Sequence, residues 1–150
     1  MYKRQLTEWA PDVYQHDTSS WNLDRCNEVR KRSGGVPFAL VGPLYIVNKW
    51  IMKEHFTACN DLLYDAAIMT SLANDLLGKK KDLQTKNDSI SIKTIKIATA
   101  SEIAHHHNEK AECLRKHILH LDGDTRRLME EVEVCAVGFF PWQCNSRRYD

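Results

Sequence analysis

The sequence is organised around the stretch Ala73-Asn74-Asp75-Leu76-Leu77-Gly78-Lys79-Lys80-Lys81-Asp82-Leu83, which ends a long run of helix-forming residues. Asn74, Gly78 and Asp82 are spaced i, i+4 and i+8, so on a helix they lie along one face over roughly 12 Å of axial rise. Asn74 and Asp82 carry oxygen ligands of the kind that Mg²⁺ accepts, and Lys81 could hold an anion beside the cation. The spacing therefore predicts a site for magnesium and a diphosphate. The alternative is a solvated helix end, since lysines favour the negative end of the helix dipole without any ligand.

The composition is ordinary for a globular protein, and 150 residues are enough for one domain with a core. A formal net charge of +1 gives no indication of nucleic acid as a partner. No run approaches the ~18 apolar residues of a membrane span. The five cysteines contain no Cys-x-x-Cys pair, which favours reduced thiols in a cytoplasmic protein. Residues 1–5 match one reading frame of a common sequencing-library adaptor, so they are predicted to be an artefact and 6–150 to be the domain.

Helical periodicity dominates the first half of the chain. A helix is predicted from about Trp21 to Arg32, with an N-cap at Ser19 or Ser20. Ser33-Gly34-Gly35 then breaks the helix, and Val36-Pro37 begins the next one with proline in its first turn. The periodic run from about Phe56 past Leu77 predicts a long helix with a broad buried face.

The second half is harder to assign. Residues 89–98 alternate isoleucine with polar residues, which is a strand pattern, but no second strand is available to pair with it, so a helix is predicted. Another helix is predicted to be capped by Ser101 and to end near Gly123. Asp124 is predicted to cap a last helix to about Phe140. The predicted fold class is therefore all-α, a helical bundle with short connections.

Two basic segments add candidate anion-binding side chains. Arg30-Lys31-Arg32-Ser33-Gly34-Gly35 places positive charge at a break between two helices, where arginine is suited to bidentate phosphate binding. Near the end of the sequence, Arg148-Tyr149 offers a guanidinium and a phenol to one phosphate. Each segment also has an ordinary interpretation, the first as a basic helical turn with a glycine cap and the second as a polar tail.

Taken in order, these motifs resemble a known family. Arg-x-x-Ser-Gly-Gly, then a long helix with Asn-Asp-x-x-x-x-x-Lys-Asp, then a late tryptophan followed by Arg-Tyr, is similar to the C-terminal half of a class I terpene synthase of the microbial type. Arg30 lies 44 positions before Asn74, and Arg148 lies 74 positions after it, both close to the family's spacings. The resemblance covers about residues 20–150. It implies a partial class I terpenoid synthase helical bundle.

The resemblance implies a magnesium and diphosphate site. Asn74 and Asp82 fall on the first and last ligand positions of the family's Asn-Ser-Glu motif, with Gly78 between them, and Lys81 falls on its diphosphate-contacting lysine. Arg30 falls on the diphosphate-sensing arginine. Two positions depart from the family, because Gly78 stands where Ser or Thr is usual and Asp82 is one methylene shorter than the usual Glu. The family's aspartate-rich motif, expected well upstream of Arg30, has no counterpart in the sequence.

The remaining matches fall on the linker and effector at the helix break, on the Arg-Tyr pair that closes over diphosphate, and on aromatic residues expected to line the hydrocarbon pocket. In that order they are Ser33, Gly34, Arg148, Tyr149 and Trp142 with Phe139 or Phe140. The implied activity is that of a lyase that ionises a prenyl diphosphate, by default farnesyl diphosphate. It would then release diphosphate and cyclise the carbocation with water excluded.

Two hypotheses follow. Because the aspartate-rich motif is missing, the chain is expected to be a fragment of a magnesium-dependent terpene cyclase that is inactive by itself. The alternative is a non-catalytic α-helical interaction module whose basic clusters bind an acidic partner. The module would bind in a salt-sensitive manner that is indifferent to magnesium, whereas the cyclase requires the cation.

Several histidine and cysteine residues suggest a second metal site, separate from the magnesium site. His105-His106-His107 with His117 and His120 forms a cluster in sequence, but consecutive side chains point about 100° apart on a helix, which favours a solvated polar face. His55 and Cys59 are spaced i, i+4 without a further ligand, which favours a core or surface role. The core is expected to include Cys113 and Cys135.

Overall fold

The computed structural model of the protein describes residues 21–33, 36–48, 50–51, 53–84 and 90–145. These residues form seven helices and no strand, so the predicted all-α fold class is confirmed. In chain order the helices are α1 (Leu23–Ser33), α2 (Val36–Val47), α3 (Lys53–Ala58), α4 (Asn60–Gln84), α5 (Ile90–Ile97), α6 (Ala100–Ile118) and α7 (Gly123–Cys144). None of the helices within these ranges is both long and apolar enough to cross a membrane.

Helix α4 is the centre of the bundle, because it packs against α1, α2, α5, α6 and α7. Two stripes of its surface are buried. The first includes Leu63 and Ala66 and belongs to the main core, which α6 and α7 complete. The second includes Ile68 and Leu72 and packs with Ile103 of α6. Burial on two sides explains why the sequence shows a broad apolar face rather than a narrow stripe.

The first helices follow the predicted order with shifted boundaries. Helix α1 is capped by Asn22, whose Oδ1 accepts a hydrogen bond from the Arg25 amide at 2.9 Å. The predicted caps Ser19 and Ser20 lie outside the described residues. Helix α2 begins at Val36, as predicted. The long helix predicted from Phe56 is divided into α3 and α4 at Cys59, so that part of the prediction is wrong.

Helix α6 begins with a capping box that the sequence analysis assigned to the wrong residue. The Glu102 amide donates to Thr99 Oγ1 at 3.2 Å, and Glu102 Oε2 accepts from the Thr99 amide at 2.7 Å. Ser101 is therefore not the cap, because its backbone is already helical, whereas Thr99 is extended. The pattern Thr99-x-x-Glu102 is the sequence signature of this motif, so the correct cap was readable from the sequence.

The last connection is also placed differently from the prediction. Helix α6 ends at Ile118, and Gly123, with φ +52°, opens α7 instead of ending α6. The cap is Asp122, and Asp124 lies in the first helical turn. Helix α7 continues through Pro141 to Cys144, beyond its predicted end. The alternating segment of residues 89–98 is helical as predicted, because α5 covers most of it and buries Thr94 and Ile95.

We expect the capping box to make stability depend on pH. Hydrogen bonds from the Thr99 amide, and then from its hydroxyl, hold the pKa of the Glu102 carboxyl below its ordinary value. A lowered folded-state pKa means that ionised Glu102 stabilises the fold above the unfolded-state pKa, and that this contribution is lost as the pH falls through the folded-state pKa. Glu102→Gln should therefore lower the urea midpoint at neutral pH, and the difference from wild type should vanish in acid.

The matched control is Ser101→Ala, because Ser101 directly precedes Glu102 and takes part in neither hydrogen bond. It should leave the urea midpoint unchanged at both pH values. A Glu102→Gln deficit that stays constant down to acid pH would show that the carboxylate charge is not what stabilises this helix end.

Candidate functional site

A buried ion pair joins the two sequence motifs that were assigned to anion and cation binding. The Arg30 guanidinium, on a side chain only 5% exposed, pairs through Nη2 with Asp75 Oδ2, which is fully buried. The same Nη2 donates to Thr94 Oγ1 at 3.0 Å. The pair therefore connects the last turn of α1 to the middle of α4, and the threonine adds α5 to the contact.

Periodicity explains why Asp75 faces α1. On α4 it follows Ile68 by seven residues and Leu72 by three, so it continues the second buried stripe of that helix. An acidic residue on an apolar stripe is a recognisable signal of a buried partner, but the sequence analysis did not use it. No comparable sequence pattern indicated that Thr94 is buried, because the apolar residues of its segment do not mark one helical face.

Asn74 turns toward a different helix. Its Oδ1 accepts a hydrogen bond from Gln143 Nε2 of α7 at 3.1 Å, and the Gln143 side chain is fully buried. Adjacent helical residues point about 100° apart, which is why Asn74 meets α7 while Asp75 meets α1. The sequence analysis missed Gln143, a polar residue on the buried face of α7 that also carries Val132 and Ala136.

The described side chains do not by themselves make up a magnesium site. Magnesium prefers several oxygen ligands in octahedral geometry. Asn74 Oδ1 already accepts from Gln143, and Gly78 has no side chain to offer. The side chain of Asp82 lies outside the described residues. Of the three predicted ligand positions, the structure therefore describes a side-chain oxygen only for Asn74, and this oxygen already accepts a hydrogen bond.

Near the ion pair, some polar atoms have no hydrogen-bond partner among the described residues. Asn27, one turn before Arg30 on α1, is 4% exposed, and within the described part of the chain neither its Nδ2 nor its Oδ1 has a hydrogen-bond partner. The same holds for Arg30 Nε. A buried polar group without a partner costs about 1–3 kcal/mol. The site therefore keeps spare donors and an acceptor for an additional polar group.

The other predicted site residues are spread more widely. Lys81 is exposed on α4, seven residues after Asn74 and so on the same side of the helix. The rings of Phe139 and Trp142 pack with centroids 5.1 Å apart, at 36% and 55% exposure, on the surface of α7. Phe140 is exposed as well. Outside the described part of the chain lie the side chains of Ser33 and Asp82 and the residues Gly34, Arg148 and Tyr149.

Two histidines of the cluster face one carboxylate. His105 Nε2 and His106 Nδ1 each lie 3.5 Å from a carboxylate oxygen of Glu109. Over the ranges that the structure covers, no group of three or more His, Cys, Asp or Glu is placed to hold a metal ion.

Comparison of the chain with protein-family models, curated proteins and solved structures finds no match. The candidate site is therefore supported by the residues of this chain and by no similar protein.

We expect both charges of the buried pair to be needed together. Removing one partner leaves the other charge buried and uncompensated, which typically costs about 3–5 kcal/mol. Arg30→Met and Asp75→Leu should each lower the free energy of unfolding by that amount. The double variant should lose less than the sum of the two, because it leaves no isolated charge. Urea denaturation monitored by circular dichroism measures all three differences.

Lys31→Ala is the matched control, since Lys31 also forms an ion pair on α1, but its contact with Glu28 at 2.7 Å is exposed. Such surface pairs contribute less than about 1 kcal/mol. If Arg30→Met cost no more than Lys31→Ala, the buried pair could not be what ties α1 to α4.

Proposed function

We propose that this chain supplies the diphosphate-binding part of a helical enzyme that ionises a prenyl diphosphate, as class I terpene synthases do. The single observation that carries the proposal is the ion pair between Arg30 and Asp75. It sets the arginine of the first motif against the residue next to Asn74 of the second, although the two motifs are separated by 44 positions. Without this contact the proposal would rest only on the order of motifs along the sequence.

Three described side chains carry donors that suit an anionic ligand. Asp75 orients the Arg30 guanidinium, and Nε remains as a donor with no partner among the described residues. Asn27 Nδ2 adds a neutral donor one turn away on the same helix. Lys81 contributes an exposed ammonium on the side of α4 that carries Asn74. Oxygens of a diphosphate accept charge-assisted hydrogen bonds from such groups, which stabilises the charge that develops as the group leaves.

The identities of the proposed substrate and cofactor are based on the sequence resemblance. The proposed substrate is a prenyl diphosphate, by default farnesyl diphosphate, and the proposed activity is a carbon–oxygen lyase followed by cyclisation. Magnesium is proposed because the Asn74 segment matches a magnesium motif. A cytoplasmic location is proposed because all five cysteines are free thiols.

The second candidate is an α-helical interaction module. It is favoured by the exposure of both Lys79 and Lys81 at the end of α4 and of Val134 and Phe140 on α7. The exposed lysines would bind an acidic partner through screened charge interactions, so the affinity would fall with salt and would not depend on magnesium.

Binding of inorganic diphosphate, measured by isothermal titration calorimetry with and without Mg²⁺, tests the proposal. We expect binding that requires the cation and that Lys81→Ala weakens at least tenfold, since a charge-assisted hydrogen bond contributes about 1.5–3 kcal/mol. Lys116→Ala is the control, because Lys116 is also an exposed lysine on a helix but lies on α6, outside the candidate site.

Absence of diphosphate binding in the presence of magnesium would contradict the proposal. So would equal losses in the two lysine variants, because a general charge effect would then explain the binding. If an acidic peptide instead bound with strong salt dependence and without magnesium, the interaction module would be the better description.

A further inference from the structure

The end of α2 and the second half of α7 expose aliphatic side chains. Ile46 and Val47 are 80% and 77% exposed, and Val134 is 72% exposed. Val137 and Pro141 are exposed as well, and they follow Val134 at the i+3 and i+7 positions that share one side of a helix. Single exposed apolar residues are ordinary on a protein surface, whereas a contiguous group of them marks a binding surface.

A hydrogen bond between the two helices makes this group contiguous. Asn48 Nδ2 donates to Glu131 Oε2 at 2.8 Å. Ile46 and Val47 directly precede Asn48, and Val134 follows Glu131 by about one helical turn. The exposed residues of α2 therefore lie beside those of α7. We call this surface the α2–α7 patch, and it consists of Ile46, Val47, Val134, Val137 and Pro141.

The composition of α2 indicates that its outer side is covered. A surface helix usually carries polar residues opposite the side that faces the core. Leu40 of α2 packs into the main core, but residues 36–47 include no charged residue for the opposite side. On α7, Gly138 lies between Val134 and Pro141, and a Cβ atom placed there would meet nothing within 4 Å. A glycine on an open surface allows another backbone to approach closely.

The charges at the edge of the patch favour a second copy of the chain as its occupant. Arg127 lies 3.5 Å from Glu131, and Arg126 donates to Glu130 at 2.8 Å, in the turns of α7 just before Val134. This described edge therefore carries both signs in equal number. A membrane surface or an acidic partner would require a surplus of lysine and arginine. An edge with both signs is complementary to itself when two copies face each other.

The area of the patch is sufficient for pairing. At their exposed fractions, the five side chains present roughly 500 Å² per copy, which is near the upper end for the largest apolar patch of a typical monomer. A symmetric pair would bury about 1,000 Å² in total, the size at which specific interfaces begin.

We propose that two copies of this chain associate through the α2–α7 patch, around a two-fold axis that places the patch of one copy on the patch of the other. Pairing covers the outer side of α2 and brings edges of opposite charge together. The apolar centre supplies the attraction, so the association persists at high salt. It does not depend on the proposed enzymatic function, and it differs in this salt response from an acidic partner held by the lysines of α4.

Sedimentation velocity of the full chain over a range of concentrations tests the pairing. A reducing buffer excludes a disulfide between exposed Cys144 thiols. We expect the wild-type mass to rise from that of one chain to that of two as the concentration increases. Val134→Glu and Ile46→Glu should each raise the dissociation constant at least tenfold, because each copy would bury an unpaired carboxylate in the interface. Both side chains are exposed in the single chain, so the substitutions leave its core unchanged.

Leu119→Glu is the matched control, because Leu119 is also an exposed aliphatic residue, at 65%, but follows α6 outside the patch. This variant should associate as wild type does, and circular dichroism verifies that all three variants are helical. A wild-type chain that stays monomeric up to submillimolar concentration overturns the proposal and leaves a different partner as the occupant of the patch. Equal association of Val134→Glu and wild type, or an equal loss in Leu119→Glu, also overturns it.

Discussion

The buried ion pair between Arg30 and Asp75 is the constraint on which the arrangement of the first helices depends. Transfer of each charge out of water costs several kcal/mol, so neither residue is tolerated in the interior without the other. Apolar contacts are nondirectional and allow one helix to slide along another, whereas an ion pair with a hydrogen bond to Thr94 has one favourable geometry. The pair therefore sets the register of α1 on α4 and includes α5 in the same contact.

Two neighbouring residues of helix α4 contact different helices. Asp75 is buried against α1, while Asn74 accepts a hydrogen bond from Gln143 of α7. The segment that resembles a magnesium motif in sequence thus contributes to two helix interfaces. A role for Asn74 as a metal ligand requires its oxygen to leave Gln143 or to accept from it and coordinate at once. In that case structure and metal binding would be coupled at Asn74, since the same oxygen atom would serve both.

Two histidine–cysteine pairs illustrate that equal spacing does not give equal surroundings. His55 with Cys59 and Cys113 with His117 both have helical i, i+4 spacing. Cys59 lies in the main core, where its thiol donates to the His55 carbonyl oxygen at 2.9 Å and burial raises the pKa of the thiol to about 11. Cys113 is half buried beside Leu114 of the buried stripe of α6, so the expectation that it belongs to the core is wrong. A sequence pattern that ignores which helical face is covered treats these pairs as equivalent.

Sequence periodicity and helix-breaking residues determined the all-α class, the order of the helices and the start of α2 at Val36, because these depend on local backbone preferences. The capping box at Thr99 was also encoded locally, although the analysis chose Ser101. The order of motifs also predicted that Arg30 and Asn74 belong to one site, and this stays a prediction. Only the tertiary structure decided that Arg30 pairs with Asp75, and that Gln143 reaches Asn74. Periodicity specifies which residues share a helical face, but the partner opposite that face depends on how distant segments pack, and that information is not local.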